Sequence, residues 1–393
     1  MLPFANSGGD PDQDYFVDGG TESLTTDLSR ISSAFVISRN TAAAFAGKPV
    51  DVRRIGRELG VRYVLEGSVQ RSGPRMRVNV QLIEAETNAH LWAQRFDKPV
   101  ADLFLMQDEI VARIANELKA AIVRVEARRA DRTANPDSID FWFRGFDWLQ
   151  KGVNPESLAK AREAFNRARE IAPGNVDALL GTVLVDTIIA QTYAYDDRAE
   201  RIRSAEALAL QALSSAPQDP MAHLCLGLLL VLDKRAEQGV DELTLSLSLD
   251  PNLVFAHAQI GLAKIALGRA EETEAHVADA LRLSPRDLGA YVWYGFIGFA
   301  KLHLGADEEA VAWFRKSLEA NRSYPISRFH LAAALALRGL IEEARNEARA
   351  GLTLAPDFTL RRFRNGALSD HPTYVAQRER IIEGMRLAGV PEG

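Results

Sequence analysis

Hydrophobic residues change period along this chain, and the changes divide it. From Asp18 to Ile31, Leu24, Leu28 and Ile31 recur at helical spacing behind an aspartate that can accept from free backbone N–H groups, which predicts a capped helix. A strand is expected at Ala34–Ser38. After a loop ending at Pro49, Val52, Ile55 and Leu59 predict a short amphipathic helix stopped by Gly60, because glycine tolerates the left-handed conformation. The period then falls to two. Met76, Val78, Val80 and Leu82 alternate with Arg75, Arg77, Asn79 and Gln81, the pattern of a half-buried strand. Tyr63–Arg71 precedes it across Ser72-Gly73-Pro74, and His90–Phe96 follows it across Glu84–Asn88, so three strands read as an antiparallel meander. The order βαβαβββ predicts an α+β domain over residues 1–98, a mixed sheet with both helices on one face. Met1-Leu2-Pro3-Phe4 reads as the tail of a strand, as expected of a fragment of a longer gene product or a misplaced start.

Beyond this domain every pattern is helical. Met106, Ile110, Ile114, Leu118 and Ile122 form one stripe on a helix from Leu103 to Val125, placed in a connecting segment, 99–137, that Asn135-Pro136 closes. Over 138–356 a unit of 34 residues recurs. Leu226-Gly227 is followed by Asp250-Pro251, and Ile260-Gly261 by Ser284-Pro285. Ala172-Pro173, Ala216-Pro217 and Ala355-Pro356 extend the series, with proline spacings of 44, 34, 34 and 71 residues. A proline lacks an N–H and pushes its predecessor out of the helical region, so it ends the second helix of one unit before the next begins. Small residues hold fixed offsets before these prolines, as Ala161 and Ala168, Ala205 and Ala212, and Ala344 and Gly351 do. A period near 34 marks helix hairpins that bury their apolar faces by stacking, here about six of them, followed by a C-terminal capping helix region at 357–393. Three departures stand out: a proline is missing near Arg322, Gly239 and Thr273 replace an expected alanine, and about eight residues are inserted at Gln191–Arg198.

The 393 residues allow two or three domains, and 47% hydrophobic composition supports real cores. A net charge of -6 and the absence of a strongly basic segment argue against nucleic-acid binding by this chain. The arginines at 124, 128, 129 and 132, and at 361, 362 and 364, read as solvated surface. One cysteine, Cys225, rules out an internal disulfide and a cysteine-based metal site. That usage fits a reducing compartment. No apolar run reaches the roughly 18 residues of a membrane span, and no secretory leader pattern is visible, so a cytoplasmic location is expected.

The proline-punctuated units, with Leu-Gly in the first helix and alanines in the second, resemble tetratricopeptide repeats across roughly 141–356. A second resemblance covers about 1–97. LPFANSGGDPDQDYFVDGG, VISRN, RELGVRYVLEGSVQRSG and NVQLIEAETNAHLWAQRFD look like the amino-terminal domain of TolB, in the version found beside tetratricopeptide repeats in bacterial signalling proteins. In that group the tandem often follows a class III adenylate/guanylate cyclase domain or a winged-helix DNA-binding domain.

No catalytic, cofactor-binding or metal-binding residue emerges. Ser7-Gly8-Gly9-Asp10 lacks the Lys-Ser/Thr of a phosphate loop. Asp10, Asp12 and Asp14 alternate as the acids of a calcium loop do, but Tyr15 and Thr21 stand where glycine and glutamate are needed. His223 and His257, 34 residues apart, should stack on adjacent helices, but two imidazoles without a third ligand make a poor zinc site. Cys225 lies in an apolar run, where a thiol is inert.

The family resemblance implies instead a groove on the concave face, lined by the first helix of each unit: Met221, Leu224, Leu228, Val231, Phe255, Leu262, Ile265, Val292, Phe296, Phe299, Ile326, Phe329 and Leu337. A strip this apolar marks an interface or an inter-helix core. Its occupant is expected to be a protein or peptide partner, self-association included, or a helix of this chain such as 103–125 or Tyr374–Leu387. The expected function is a non-catalytic protein-interaction scaffold of a bacterial signalling protein. The alternatives are the C-terminal regulatory module of a nucleotide cyclase and a cell-envelope module of the TolB kind.

Overall fold

A computed structural model describes residues 1–8, 14–29, 36–37, 41–42, 45, 51–72, 74–99, 103–193, 196–285 and 287–393. The strand expected at Ala34–Ser38, the loop ending at Pro49, and Gly9, Asp10, Asp12 and Gly73 lie wholly or largely outside these residues. The chain divides into two compact units, Met1–Glu126 and Ala127–Gly393.

In the first unit, β1 (Ala5–Asn6) and α1 (Asp14–Ser29) precede α2 (Val52–Leu59), β2 (Tyr63–Ser72), β3 (Arg75–Glu84) and β4 (His90–Pro99). The described strands form one sheet in the order β1-β2-β3-β4, parallel at β1-β2 and antiparallel beyond. Its register sets the two faces. Leu65 pairs with Leu82 and Val69 with Val78, and these residues pack with Leu24 and Leu28 of α1. Val64 pairs with Ile83 on the opposite face, where Val52 and Ile55 of α2 cover them. The two helices therefore lie on opposite faces, which corrects the one-face arrangement read from the element order. The physical reason is the consecutive apolar pairs Val64-Leu65 and Leu82-Ile83: neighbours in a strand point to opposite sides, so both faces need a cover.

Helix α1 starts at Asp14, one turn earlier than Asp18, and Asp14 accepts from Asn6 Nδ2 at 2.7 Å. Helix α2 is capped by Asp51, which accepts from Arg53 N, and ends at Gly60 with φ 63° and ψ 30°. Helix α3 (Leu103–Ala130) runs beneath the α1 face, with Ile110, Ile114 and Leu118 buried in the same core. Residues 103–126 thus belong to the first unit's core. Glu126 at its edge is buried and accepts from Tyr63 Oη at 2.6 Å and from Arg62.

The second unit is helical throughout its described residues. Its hairpins are α4 (Ser138–Gln150) with α5 (Pro155–Ile171), α6 (Val176–Gln191) with α7 (Arg198–Ser215), α8 (Pro220–Leu232) with α9 (Ala236–Leu249), α10 (Val254–Ala266) with α11 (Thr273–Leu283), α12 (Ala290–His303) with α13 (Asp307–Ala320), and α14 (Pro325–Leu337) with α15 (Ile341–Leu354). Two further helices follow, α16 (Leu360–Asn365) and α17 (Pro372–Leu387).

The punctuation works as the prolines predict. Ala172, Ala216, Asp250, Ser284 and Ala355, each before a proline, leave the helix with φ between -141° and -136°. Asn321, with no proline after it, does the same at φ -147°. Asp137, Asn175 and Asp219 then cap the next first helix by accepting from backbone N–H groups. Eight residues before each repeat boundary stand Phe165, Ala209, Leu243, Val277, Phe314 and Ala348, all essentially buried between the helices of their hairpins. Full burial of a Leu or Phe side chain contributes roughly 1.5–3 kcal/mol.

Glycines admit this packing. A Cβ on Gly145 or Gly181 would lie 2.5 Å or 2.3 Å from the Phe165 ring, so one aromatic fills the space that two first helices leave open. The chain is thus an α+β unit followed by an all-α solenoid of tetratricopeptide type.

Candidate protein-interaction groove

The first helices of neighbouring hairpins pack on one another to form one wall, and the expected groove residues fall into two sets there. Leu224, Leu228, Val231, Leu262, Ile265, Phe296, Phe299 and Phe329 are buried. Met221, Phe255, Val292 and Ile326 are half-buried, one at equivalent places near the start of α8, α10, α12 and α14, and Leu337 is half-buried at the end of α14. The four early positions make an apolar rim. The deeper ones belong to a continuous core.

Part of that core comes from residues 358–390, which fold back onto the wall. Phe358 stacks on Phe329 with centroids 3.8 Å apart and planes 9° apart. Phe363 of α16 meets His330 at 5.7 Å. Tyr374, Ile381, Ile382 and Met385 of α17 are fully buried, and Gly384 lies so close to α14 that a Cβ there would come within 2.7 Å of Ala333 O and 2.9 Å of Leu337 Cγ. Of the occupants that the sequence admits for this face, the chain's own α17 is the one that lies on α14 and α12.

Polar groups fix the seat. His303 Nδ1 donates to Gln377 Oε1 at 3.1 Å. Arg378 is buried, its guanidinium 3.8 Å over the Phe363 ring, and donates to Tyr374 Oη at 2.9 Å and to Phe363 O. Tyr374 Oη also accepts from Leu368 N at 3.0 Å. Burial pushes the His303 and His330 imidazoles down to about 3, with the Arg378 charge acting in the same direction. Both rings are therefore neutral at pH 7. Arg380 forms a bidentate pair with Asp307, the first residue of α13.

The insertion at Gln191–Arg198 reaches the same segment. Tyr193, left-handed at φ 56°, sets its ring 5.3 Å from Phe363 and 6.2 Å from Phe358, and Asp196 accepts two bonds from Arg362 at 3.0 Å and 2.8 Å. Val153, in the turn of the first hairpin, donates to Tyr291 Oη of α12 at 2.9 Å. The solenoid thus closes on residues far along its own sequence.

The histidines singled out in the sequence serve the turns between hairpins. His223 contacts Glu242 at 2.6 Å through Nδ1 and Pro217 O at 3.0 Å through Nε2, and His257 Nε2 lies 3.4 Å from Pro251 O. Each ring reaches the carbonyl six residues before it. No group of three or more His, Cys, Asp or Glu among the described residues is arranged to hold a metal ion. Cys225 is buried, and burial pushes its thiol up, away from the reactive thiolate. Among the described residues no helix is long and apolar enough to cross a membrane. Sequence reasoning passed over His303, His330 and Arg378. The available signal was a histidine inside the apolar run Phe329-His330-Leu331, where an ionisable side chain needs a special neighbour.

No family model matches the chain. A protein of Rhizobium meliloti (strain 1021) named "Putative adenylate cyclase 3" is 38% identical over 244 residues, 61% of this chain and 41% of that protein. The chain therefore spans less than half the length of this curated relative. Among solved structures, a thermophilic TPR protein of Thermus thermophilus is 19% identical, with 50% of this chain and 98% of that one covered and a TM-score of 0.41. YrrB, a TPR protein with an unusual peptide-binding site, is 14% identical over 56% of this chain and 99% of its own, with a TM-score of 0.31.

Proposed function

We propose that this chain is a non-catalytic interaction scaffold of a bacterial signalling protein, acting in the cytoplasm, with the concave wall of the second unit as its protein-binding surface. The observation that carries this reading is the apolar rim of Met221, Phe255, Val292 and Ile326, set at one place on successive hairpins and only half-buried. Apolar side chains repeated at a fixed interval along a rigid wall match the alternate anchors of a bound helix or extended peptide. The order of elements in the first unit and its sequence motifs support a TolB-like domain there. The test is capture by the full chain against a Phe255→Asp, Ile326→Asp variant. A protein retained by the wild type and lost by the variant supports the scaffold; equal retention by both, or by neither, contradicts it.

A second reading follows from the named relative: the chain is the regulatory module of a longer nucleotide cyclase. The 38% identity to a protein of that name favours it. Cyclic nucleotide production by the product of the whole gene, measured with and without residues 138–393, tests it. No product from the whole gene ends this reading.

A further inference from the structure

On the sheet face of the first unit away from α1, helix α2 covers the row of Val64 and Ile83. Side chains two residues along a strand return to the same face, so the next two rows there are polar. The register sets Glu66 beside Gln81 and Ala93, and Ser68 beside Asn79 and Arg95. These six residues line a cavity of about 480 Å³. Small-molecule sites usually enclose roughly 300–1,000 Å³, so a ligand of a few heavy atoms with a side chain fits. Glu66, Ser68 and Gln81 are half-buried in its floor, and Asn79 and Arg95 are exposed.

The lining carries one unpaired charge of each sign. Asp97, the acid next to Arg95 on the same face of β4, is taken by Arg75 at 2.7 Å and by Arg77 at 3.2 Å. Arg95 therefore has no carboxylate partner among the described residues. Glu66 accepts from Gln81 Nε2 at 3.2 Å and meets no cation among the described residues. Glu66 and Arg95 stand on either side of β3, two strand spacings or about 10 Å apart, and they do not pair with each other. Ala93 is the small residue that keeps the floor low between them. Asn79 gives its Nδ2 to Ser68 Oγ at 3.3 Å, and Gln81 gives its Nε2 to Glu66, so both amide oxygens remain available as acceptors. Oxygens of Glu66, Asn79 and Gln81 thus stand beside a single guanidinium.

We propose that this cavity is a binding site for a free α-amino acid, whose ammonium is held by the oxygens of Glu66, Asn79 and Gln81 and whose carboxylate is held by Arg95. An ammonium offers three donors to a cluster of acceptors, and a carboxylate matches the planar fork of a guanidinium. A nucleoside phosphate fits less well. None of the lining residues is aromatic, so a base has no ring to stack on. The Glu66 carboxylate also opposes the second negative charge of a phosphate. The site lies wholly in the first unit, so it goes beyond the scaffold reading of the second and does not rest on it.

The test is isothermal titration calorimetry of the full chain with each of the common α-amino acids in turn, and at least one binds. Converting the carboxylate of that ligand to a primary amide, or acetylating its amino group, weakens binding roughly tenfold or more, because each change removes a charged hydrogen-bonding group. Arg95→Gln and Glu66→Gln each weaken binding of the unmodified ligand to a similar extent, while hydrogen exchange of the β2 and β3 amides shows that both variants keep the sheet. Three results overturn the proposal: no amino acid bound by the wild type, binding that survives both ligand modifications or both substitutions unchanged, or displacement by inorganic phosphate as ready as by a second amino acid, which makes the site one for simple anions.

Discussion

His303 on α12 lies stacked on Tyr374 of α17, ring centroids 5.1 Å apart and planes 22° apart, at the seam where the chain's last long helix meets the concave wall. The phenol oxygen there accepts from Leu368 N and from Arg378. Tyr374→Phe keeps the stacking and leaves two buried donors short of an acceptor. It is expected to destabilise the second unit by about 1–3 kcal/mol. Tyr374→Ala adds a cavity and is expected to cost about 3–5 kcal/mol. Urea unfolding followed by far-ultraviolet circular dichroism, which reports mainly the helical unit, measures both.

The same seam makes stability depend on pH. In the folded chain His303 and His330 titrate at about 3, against about 6.5 when unfolded. Below pH 6.5 the unfolded chain therefore takes up protons that the folded chain refuses. Stability is full above that pH and declines as pH falls towards 3, by about 1.4 kcal/mol per pH unit for each histidine. Aromatic rings of Phe299, Phe314 and Phe363 surround His330, so His330→Phe is expected to remove that ring's share and roughly halve the slope that the two histidines give between pH 6 and 4. Urea midpoints across that range check it.

Gly239 stands where the repeat pattern expects alanine, and alanine is expected to be worse there. A Cβ on Gly239 would lie 2.8 Å from Gly227 O and 2.6 Å from Val231 Cγ2. Gly239→Ala gains helix propensity but forces α8 and α9 apart, for a net loss of about 1–3 kcal/mol in thermal or urea unfolding. In the next hairpin Thr273 holds the same role differently, donating to Gly261 O at 2.8 Å.

In the first unit, Gly67 lies against Phe4, whose ring would be 2.4 Å from an added Cβ. Gly67→Ala is expected to expel Phe4 from the α1 face and destabilise this unit by about 1–3 kcal/mol. Hydrogen exchange of the β2 and β3 amides reports it separately from the solenoid.

Local signals made most of the fold readable. Prolines and fixed small-residue offsets marked the hairpins, and period-two alternation marked β3. The pattern was also robust where it broke: Asn321 adopts the extended turn without a proline, because the hairpin on each side leaves the chain no helical continuation. The face of α2 was misjudged because element order was weighed above the apolar doublets Val64-Leu65 and Leu82-Ile83. The groove was legible as a set of positions, but not which of them stay accessible. That depends on contacts more than a hundred residues apart, such as Tyr193 with Phe363 and Asp196 with Arg362, which no local period encodes.

The scaffold account is tested most directly by placing a photo-crosslinking phenylalanine analogue at position 255 on the concave rim and, separately, at position 245, where an exposed leucine faces outward from α9. On irradiation in cells, the account predicts a discrete covalent adduct with one partner protein from position 255 and none from position 245. Adducts from 245 alone, or the same diffuse set from both positions, would contradict it.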